Sequence, residues 1–466
     1  MKNLVVIILL ISISFLAELT LAPIIYVNYQ SSGGNWTVED KSVGVGGWGL
    51  AAIGNINNLK IEFDAYNNRF VGIKNKPNYF SHEQGISWEG HDPNGDQFDF
   101  DITNLKLSYK YKNVVFQFGK FSRHWGPGNS SLSLSNKPPS YPQFGFIYNI
   151  TPIVSFEYFH GSLRSLIRDK TNEEYYEGIG VEEPELNRFI AAHRINWSIT
   201  DRLTVGAGEL VVYGVREMDL IYLLPFAPFL SLQQYAGDLD NIQWVLDIDW
   251  KVTDKVNLYS SFSMDEWTPS MTFDKPNRNW FAYQIGSKSN NLFIDNDNFI
   301  LEYNWTDHRI YRHQNEINDY YSHGYPLGFW AGPHAQEIFI NYIFNKFNFN
   351  ISIDYSNSKR GELTSSMLEG QYDNIFYERF SDLSEEISMF RIIIFKELKK
   401  GFNLHFGISH IDWKNGNFNP DPSLFEIDEL MDVTKSSIIF GFSQNFDIFN
   451  QSSKITDNSI KKLITF

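Results

Sequence analysis

The sequence predicts an all-β fold, a membrane-spanning antiparallel barrel of about 18 strands with long external loops. Three observations predict it: an apolar leader, period-two alternation in many short segments, and a regular succession of tight turns and long polar stretches.

The leader comes first. Met1-Lys2-Asn3 is a short basic start, and Leu4 to Leu16 carries no charge. That run is too short to cross a bilayer as a helix and suits the core of a signal peptide. Residues 1–22 are the expected signal peptide, with cleavage open between Ala17 and Ala22; Pro23 makes the second site a poor one. An uncleaved anchor is the alternative. No other stretch resembles a transmembrane helix, so residence in a membrane requires a barrel.

Composition agrees. Of the 466 residues, 25 are Tyr and 39 Phe, and aromatic residues make up 16%. Barrels use aromatic girdles at both interfaces. The mean hydropathy of −0.30 fits a wall in which lipid-facing and lumen-facing side chains alternate. The chain has no cysteine, which removes disulfides and thiolate metal sites. A net charge of −16 argues against nucleic acid as a partner.

The alternation is clearest over Phe347 to Tyr355. Phe347, Phe349, Ile351, Ile353 and Tyr355 point one way; Asn348, Asn350, Ser352 and Asp354 point the other. Its partner, Gln336 to Phe344, precedes a turn expected at Asn345-Lys346, although Phe339 and Ile343 fall on the polar face. The same device recurs around Lys112-Asn113, Asp201, Asp254 and Lys399-Lys400-Gly401, and more weakly around Asn57, Asn149 to Pro152 and Asn290 to Asp297. These eight tight turns join sixteen strands. One more at each end, Pro23 to Gln30 and Lys435 to Phe449, puts both termini in the periplasm and raises the count to about 18. The barrel is expected over 23–449 and a periplasmic tail over 450–466, with closure at Phe449 or at Phe466. A soluble sandwich or propeller is the alternative, but no blade-length repeat and no linker supports it.

One stretch stands apart. Gly119-Lys120-Phe121 closes a strand, Ser122-Arg123-His124 follows, and then come Trp125-Gly126-Pro127-Gly128 and Ser131-Leu132-Ser133-Leu134-Ser135-Asn136. Gly-Pro-Gly makes a tight corner. The order resembles the signature of the Wzi family of capsule assembly proteins. Further stretches agree: Ala192-His193-Arg194 leading to Gly208 through Gly214; Leu239-Asp240-Asn241 with Met264-Asp265-Glu266; and Ser322-His323-Gly324 through Leu327-Gly328 to Gly332-Pro333-His334-Ala335. The resemblance covers roughly 97–345. It implies an 18-stranded barrel in the outer membrane of a bacterium, partly plugged, that binds capsular polysaccharide at the cell surface.

Candidate contacts follow. Arg123, His124, Trp125 and Asn136 are candidates for glycan binding; the alternative makes Arg123 part of a wall network and Trp125 a girdle residue. Arg309, Tyr311 and Arg312, within Asp307 to His313, form a basic and aromatic cluster suited to an acidic polymer, or else a solvated loop paired to Glu316 and Asp319. Glu173, Glu174, Glu177, Glu182, Glu183 and Glu185 crowd one stretch without the spacing of an EF-hand, and read as a charged surface loop.

Catalysis finds little support. Asp240 and Asp265-Glu266 invite comparison with a glycosidase pair, but sequence does not give their separation. There is no His-Glu-x-x-His and no Gly-x-Ser-x-Gly around Ser130 or Ser131. The expected function is a non-catalytic lectin that holds capsular polysaccharide or exopolysaccharide, without cofactor or metal. A porin-like channel and a barrel enzyme acting on lipid or glycan are the alternatives. The expected partners are the polymer, outer-membrane lipid with lipopolysaccharide, and the barrel assembly machinery during insertion of a monomer.

Overall fold

The computed structural model describes residues 18–444, apart from 74–79, 88–89, 92–94, 172–183, 238, 374–375, 400 and 420–428. One antiparallel sheet closes on itself. Its strands begin with β1 (Glu18–Gln30), β2 (Val43–Ile56), β3 (Leu59–Val71), β4 (Gln97–Tyr111), β5 (Val114–Phe121) and β6 (Tyr141–Asn149). They continue through β7 (Val154–Arg168), β8 (Glu185–Thr200), β9 (Leu203–Gly214), β10 (Asn241–Lys251), β11 (Val256–Met264) and β12 (Phe281–Asn290). The last are β13 (Asn298–Thr306), β14 (Ala335–Lys346), β15 (Phe349–Gly361), β16 (Ser384–Lys399), β17 (Phe402–Gly416) and β18 (Met431–Gln444). The sheet has 19 strands, one being the two-residue Gly90–His91 added beside β4, which leaves 18 in the wall. Each wall strand pairs with its chain neighbours. Ile25–Gln30 of β1 pairs with Ile439–Gln444 of β18 and closes the ring.

Seven of the eight tight turns fall where the alternation places them, and one is displaced. The turn expected at Asn345-Lys346 is formed by Phe347 and Asn348, whose φ values are +54° and +59°. Two positive-φ residues give the hairpin a twist that matches its strands. Asn345 is instead paired across the hairpin with Asn350, their side chains 2.9 Å apart. Because the shift is an even number of residues, every inward and outward assignment in β15 survives it. Phe339, which spoiled the alternation of β14, faces the lumen and packs 5.0 Å from the ring of His82.

The ends also differ from expectation. β1 starts at Glu18, not Pro23, so its first residues overlap the expected 1–22 leader. β18 ends at Gln444 within the described residues. Residues 1–17, Phe449, Phe466 and the expected 450–466 tail lie outside them, as do Glu173, Glu174, Glu177, Glu182 and Glu183.

The outward face near the tight turns carries exposed Phe116, Phe118, Ile195, Trp197, Ile248, Trp250, Phe406 and Ile408. An apolar belt of this kind is what a bilayer requires. The lumen is filled. One core draws loops 122–140 and 307–334 against inward residues such as Phe159, Ile190, Leu210, Val245, Ile387 and Trp413, contributed from most of the circumference. A second core gathers Trp36 and Ile86 against Tyr26, Val45, Phe70 and Phe98 of β1 to β4. A third lies outside the wall, where loop 215–240 covers β7 to β10.

Candidate functional site: the plug and the external loops

The plug is built around the Gly-Pro-Gly corner. Trp125 is buried, edge-on to Phe159 with ring centroids 5.8 Å apart, and the Arg194 guanidinium stands 5.6 Å above it. Gly126 has φ +101°, a conformation open mainly to glycine. A methyl group at Gly128 would sit 2.1 Å from Gln284 Oε1, so a larger residue there would have to displace the Gln284 amide on β12. The Lys288 ammonium donates to Pro127 O. Glu302 of β13 accepts the backbone N–H groups of Asn129, at 2.6 Å, and Ser130, at 3.0 Å, while Tyr259 donates its hydroxyl to the same carboxylate at 2.7 Å. The corner therefore reaches from the end of β5 across the lumen to β12 and β13.

Behind the corner the chain caps itself. Ser131 Oγ donates to Trp125 O at 2.5 Å and accepts the N–H groups of Ser133 and Leu134. Its hydroxyl is committed to shaping the turn. Tyr311 Oη donates to Leu132 O at 2.6 Å and accepts Phe329 N–H at 3.1 Å, which stitches loop 122–140 to loop 307–334. Lys137 joins a third loop by donating to Ser81 O and Glu83 O at 2.8 and 2.9 Å. Its burial pulls the ammonium down to about 7.

The sequence candidates can now be placed. Arg123 is buried on the wall, donating to Gln143 and Glu157 and lying 4.5 Å from the centre of the Phe159 ring. Arg309 pairs with Asp307 at 2.9 Å and donates to Asn277 O at 2.6 Å, tying loop 307–334 to loop 265–280. Arg312 pairs with Asp319 at 3.2 Å. Burial lifts that aspartate to about 7 against the pull of Arg312. Tyr311 is fully buried. His124 and Asn136 are partly exposed, and His124 Nε2 lies 3.2 Å from Gly128 O. The structure thus places Arg123, Trp125, Arg309, Tyr311 and Arg312 inside the protein with partners of its own. Loop 307–334 is not a solvated basic patch.

Of the three carboxylates compared with a glycosidase pair, Asp240 and Asp265 serve different faces. Asp240 accepts from Arg216 and from Tyr222 Oη at 2.6 Å, in the layer outside the wall. Asp265 accepts from the inward side chain of Gln243 at 3.2 Å.

Sequence reasoning did not single out the external tips. Phe273 is 99% exposed, and Trp267 and Phe376 are about half exposed. Lys275 lies 5.8 Å from the centre of the Phe376 ring, and Arg278 the same distance from that of Tyr372. Loops 265–280 and 362–383 thus meet through cation–ring contacts, and each presents exposed rings. Their sequences carry no period, so only the fold brings them together.

A closed, plugged, 18-stranded antiparallel barrel with an apolar outer belt is an outer-membrane protein. The chain belongs to a family within that class: it matches the capsule assembly protein Wzi family over residues 52–423. Among solved structures it is similar to Wzi of Escherichia coli, an outer-membrane protein involved in group 1 capsule assembly and described as a carbohydrate-binding β-barrel. Identity is 14%, coverage is 92% of this chain and 85% of that one, and the TM-score is 0.55. OprD of Pseudomonas aeruginosa is 11% identical with a TM-score of 0.46, covering 92% of this chain and 94% of its own. OccAB2 of Acinetobacter baumannii is 9% identical with a TM-score of 0.48, covering 92% and 98%. No curated protein matches by sequence.

Proposed function

We propose that this barrel binds capsular polysaccharide or exopolysaccharide at its external loops and helps hold it at the cell surface, without chemistry on the glycan. The observation that carries the reading is the exposed rings of Trp267, Phe273 and Phe376 on two external loops linked by Lys275 and Arg278, on a barrel plugged by other loops. Exposed rings stack on sugar faces, and cations beside them attract acidic residues of a polymer. Each contact is weak, and many along one polymer give retention. The carbohydrate-binding character of the Escherichia coli Wzi barrel supports it. Of the sequence candidates, Asn136 retains exposed surface for a sugar, while His124 and the other five are engaged within the plug and its wall.

The same reading has the leader removed after Ala17, since cleavage after Ala22 would take the start of β1. The barrel would then be inserted as a monomer by the assembly machinery, among lipopolysaccharide. Retention of purified protein on its host's surface polysaccharide tests the function. Phe273→Ala with Phe376→Ala is expected to lose most of that retention, and cells lacking the protein are expected to shed polymer into the medium. Equal retention by the double variant, or no retention by the wild type, overturns the proposal.

A further inference from the structure

Loop 215–240 does not enter the plug. It folds outward and lies on the face of the wall that should meet lipid. Strand parity shows this. On β8, exposed Ile195 and Trp197 share their side with His193, Ala191 and Phe189, and the last two are buried. On β10, exposed Leu246 and Ile248 share theirs with Trp244 and Ile242. What covers these positions is Tyr222 and a short helix, α1 (Phe229–Ala236).

The flap is fastened by polar groups that would otherwise face hydrocarbon. Glu209 accepts the N–H groups of Phe229 and Leu230 at 2.6 and 2.9 Å, capping α1. His193 stands 3.3 Å from the same carboxylate, its ring 4.3 Å from Phe229. His160 Nε2 lies 2.7 Å from Tyr213 Oη, which also accepts Asp219 N–H.

The opposite surface of the flap is apolar. Leu220, Leu224, Phe226, Leu230 and Tyr235 are exposed, and no charged residue occurs from Leu220 through Gly237. Such a patch on a protein surface marks a contact with membrane or protein. Its position decides between them. Phe226 packs 4.7 Å from Phe156, and Phe156 pairs in register with Ile195 of the exposed belt. The apolar outer surface of the flap is therefore continuous with the lipid-facing belt. We propose that loop 215–240 is a lipid-embedded flap, whose outer face sits among acyl chains of the outer leaflet and whose inner face seals His160, His193 and Glu209 from them.

The absence of cysteine permits a direct test. A nitroxide is placed at Leu224→Cys and, separately, at Leu230→Cys in the full chain, reconstituted in phosphatidylcholine vesicles. Ile248→Cys on the belt and Phe273→Cys on an external tip serve as references. Both flap positions are expected to collide with oxygen as Ile248→Cys does, and to lose nearly all of the collision with a water-soluble nickel chelate seen at Phe273→Cys. Nickel collision at the Phe273→Cys level, in protein whose gel mobility still shows a folded barrel, overturns the proposal. Shielding from both probes, with crosslinking to a second copy, also overturns it, because protein and not lipid would then cover the flap. Tyr235→Cys supplies a third position should either leucine variant fail to fold.

Discussion

The carboxylate of Glu302 holds the backbone N–H of Asn129 at 2.6 Å, across the lumen from the strand that launches Asn129's loop. The neighbouring Ser130 N–H shares the same carboxylate. A side chain of the wall thus substitutes for the water that a loop backbone would otherwise use.

Removing that carboxylate should loosen the plug. Glu302→Ala leaves two buried N–H groups and the Tyr259 hydroxyl without their acceptor, and takes one from the Asn304 amide. Each such loss costs about 1–3 kcal/mol. The wall pairs through its own ladder, so the barrel should still assemble. The expected result is a variant that folds in the membrane but conducts ions in planar bilayers far more often than the wild type. Unchanged conductance would show that the corner is held by packing alone.

Gly126 gives an independent handle on the same corner. At φ +101° an alanine is strained by about 1–3 kcal/mol. Gly126→Ala should therefore raise hydrogen exchange over residues 122–136 while leaving the strand ladders protected. Protection equal to wild type over that segment would contradict the strain argument.

The fold was legible because its signals are local and repeated. A strand with one lipid face must alternate, and a two-residue turn must use residues that tolerate its dihedrals, so eight turns and the strand parity could be read directly. The displaced turn at Phe347-Asn348 shows the limit: alternation fixes parity but not which of two equivalent pairs turns. The site was less legible. Trp125 and Tyr311 look like ligand-facing aromatics in sequence, yet both lie inside the plug, since a filled lumen needs the same large rings that a sugar does. Glu209 gave no signal either. Whether a carboxylate on the outer face is tolerable depends on a loop far along the chain folding back over it.

Glu209 is where that dependence can be measured. Glu209→Ala removes the acceptor for Phe229 N–H and Leu230 N–H and the partner of His193. Two unmet donors at about 1–3 kcal/mol each are enough to free a short loop without unfolding a barrel. Protease cleavage within 215–240 is expected to become fast in the variant, with the remaining wall intact. Glu209→Gln, which keeps one acceptor oxygen, should fall between the two. Cleavage no faster than wild type in either variant would place the flap's stability in its apolar contacts.

Acid should weaken the plug through His124. Burial, reinforced by Lys288, holds this imidazole down to about 4. A histidine with a lowered value contributes stability that is complete above its ordinary 6.5 and lost as the pH falls through about 4. His334, lowered to about 4 mainly by burial, acts in the same direction. Asp319 opposes them: raised to about 7, it contributes stability that is complete below its ordinary 3.8 and lost as the pH rises through 7. The wild type sums these trends, so the informative quantity is the difference from His124→Gln, whose amide can still donate to Gly128 O but takes up no proton. Between pH 6.5 and pH 4, hydrogen exchange over loop 122–140 should rise more steeply in the wild type than in the variant. Parallel curves would mean that the proton on His124 does not bear on the plug.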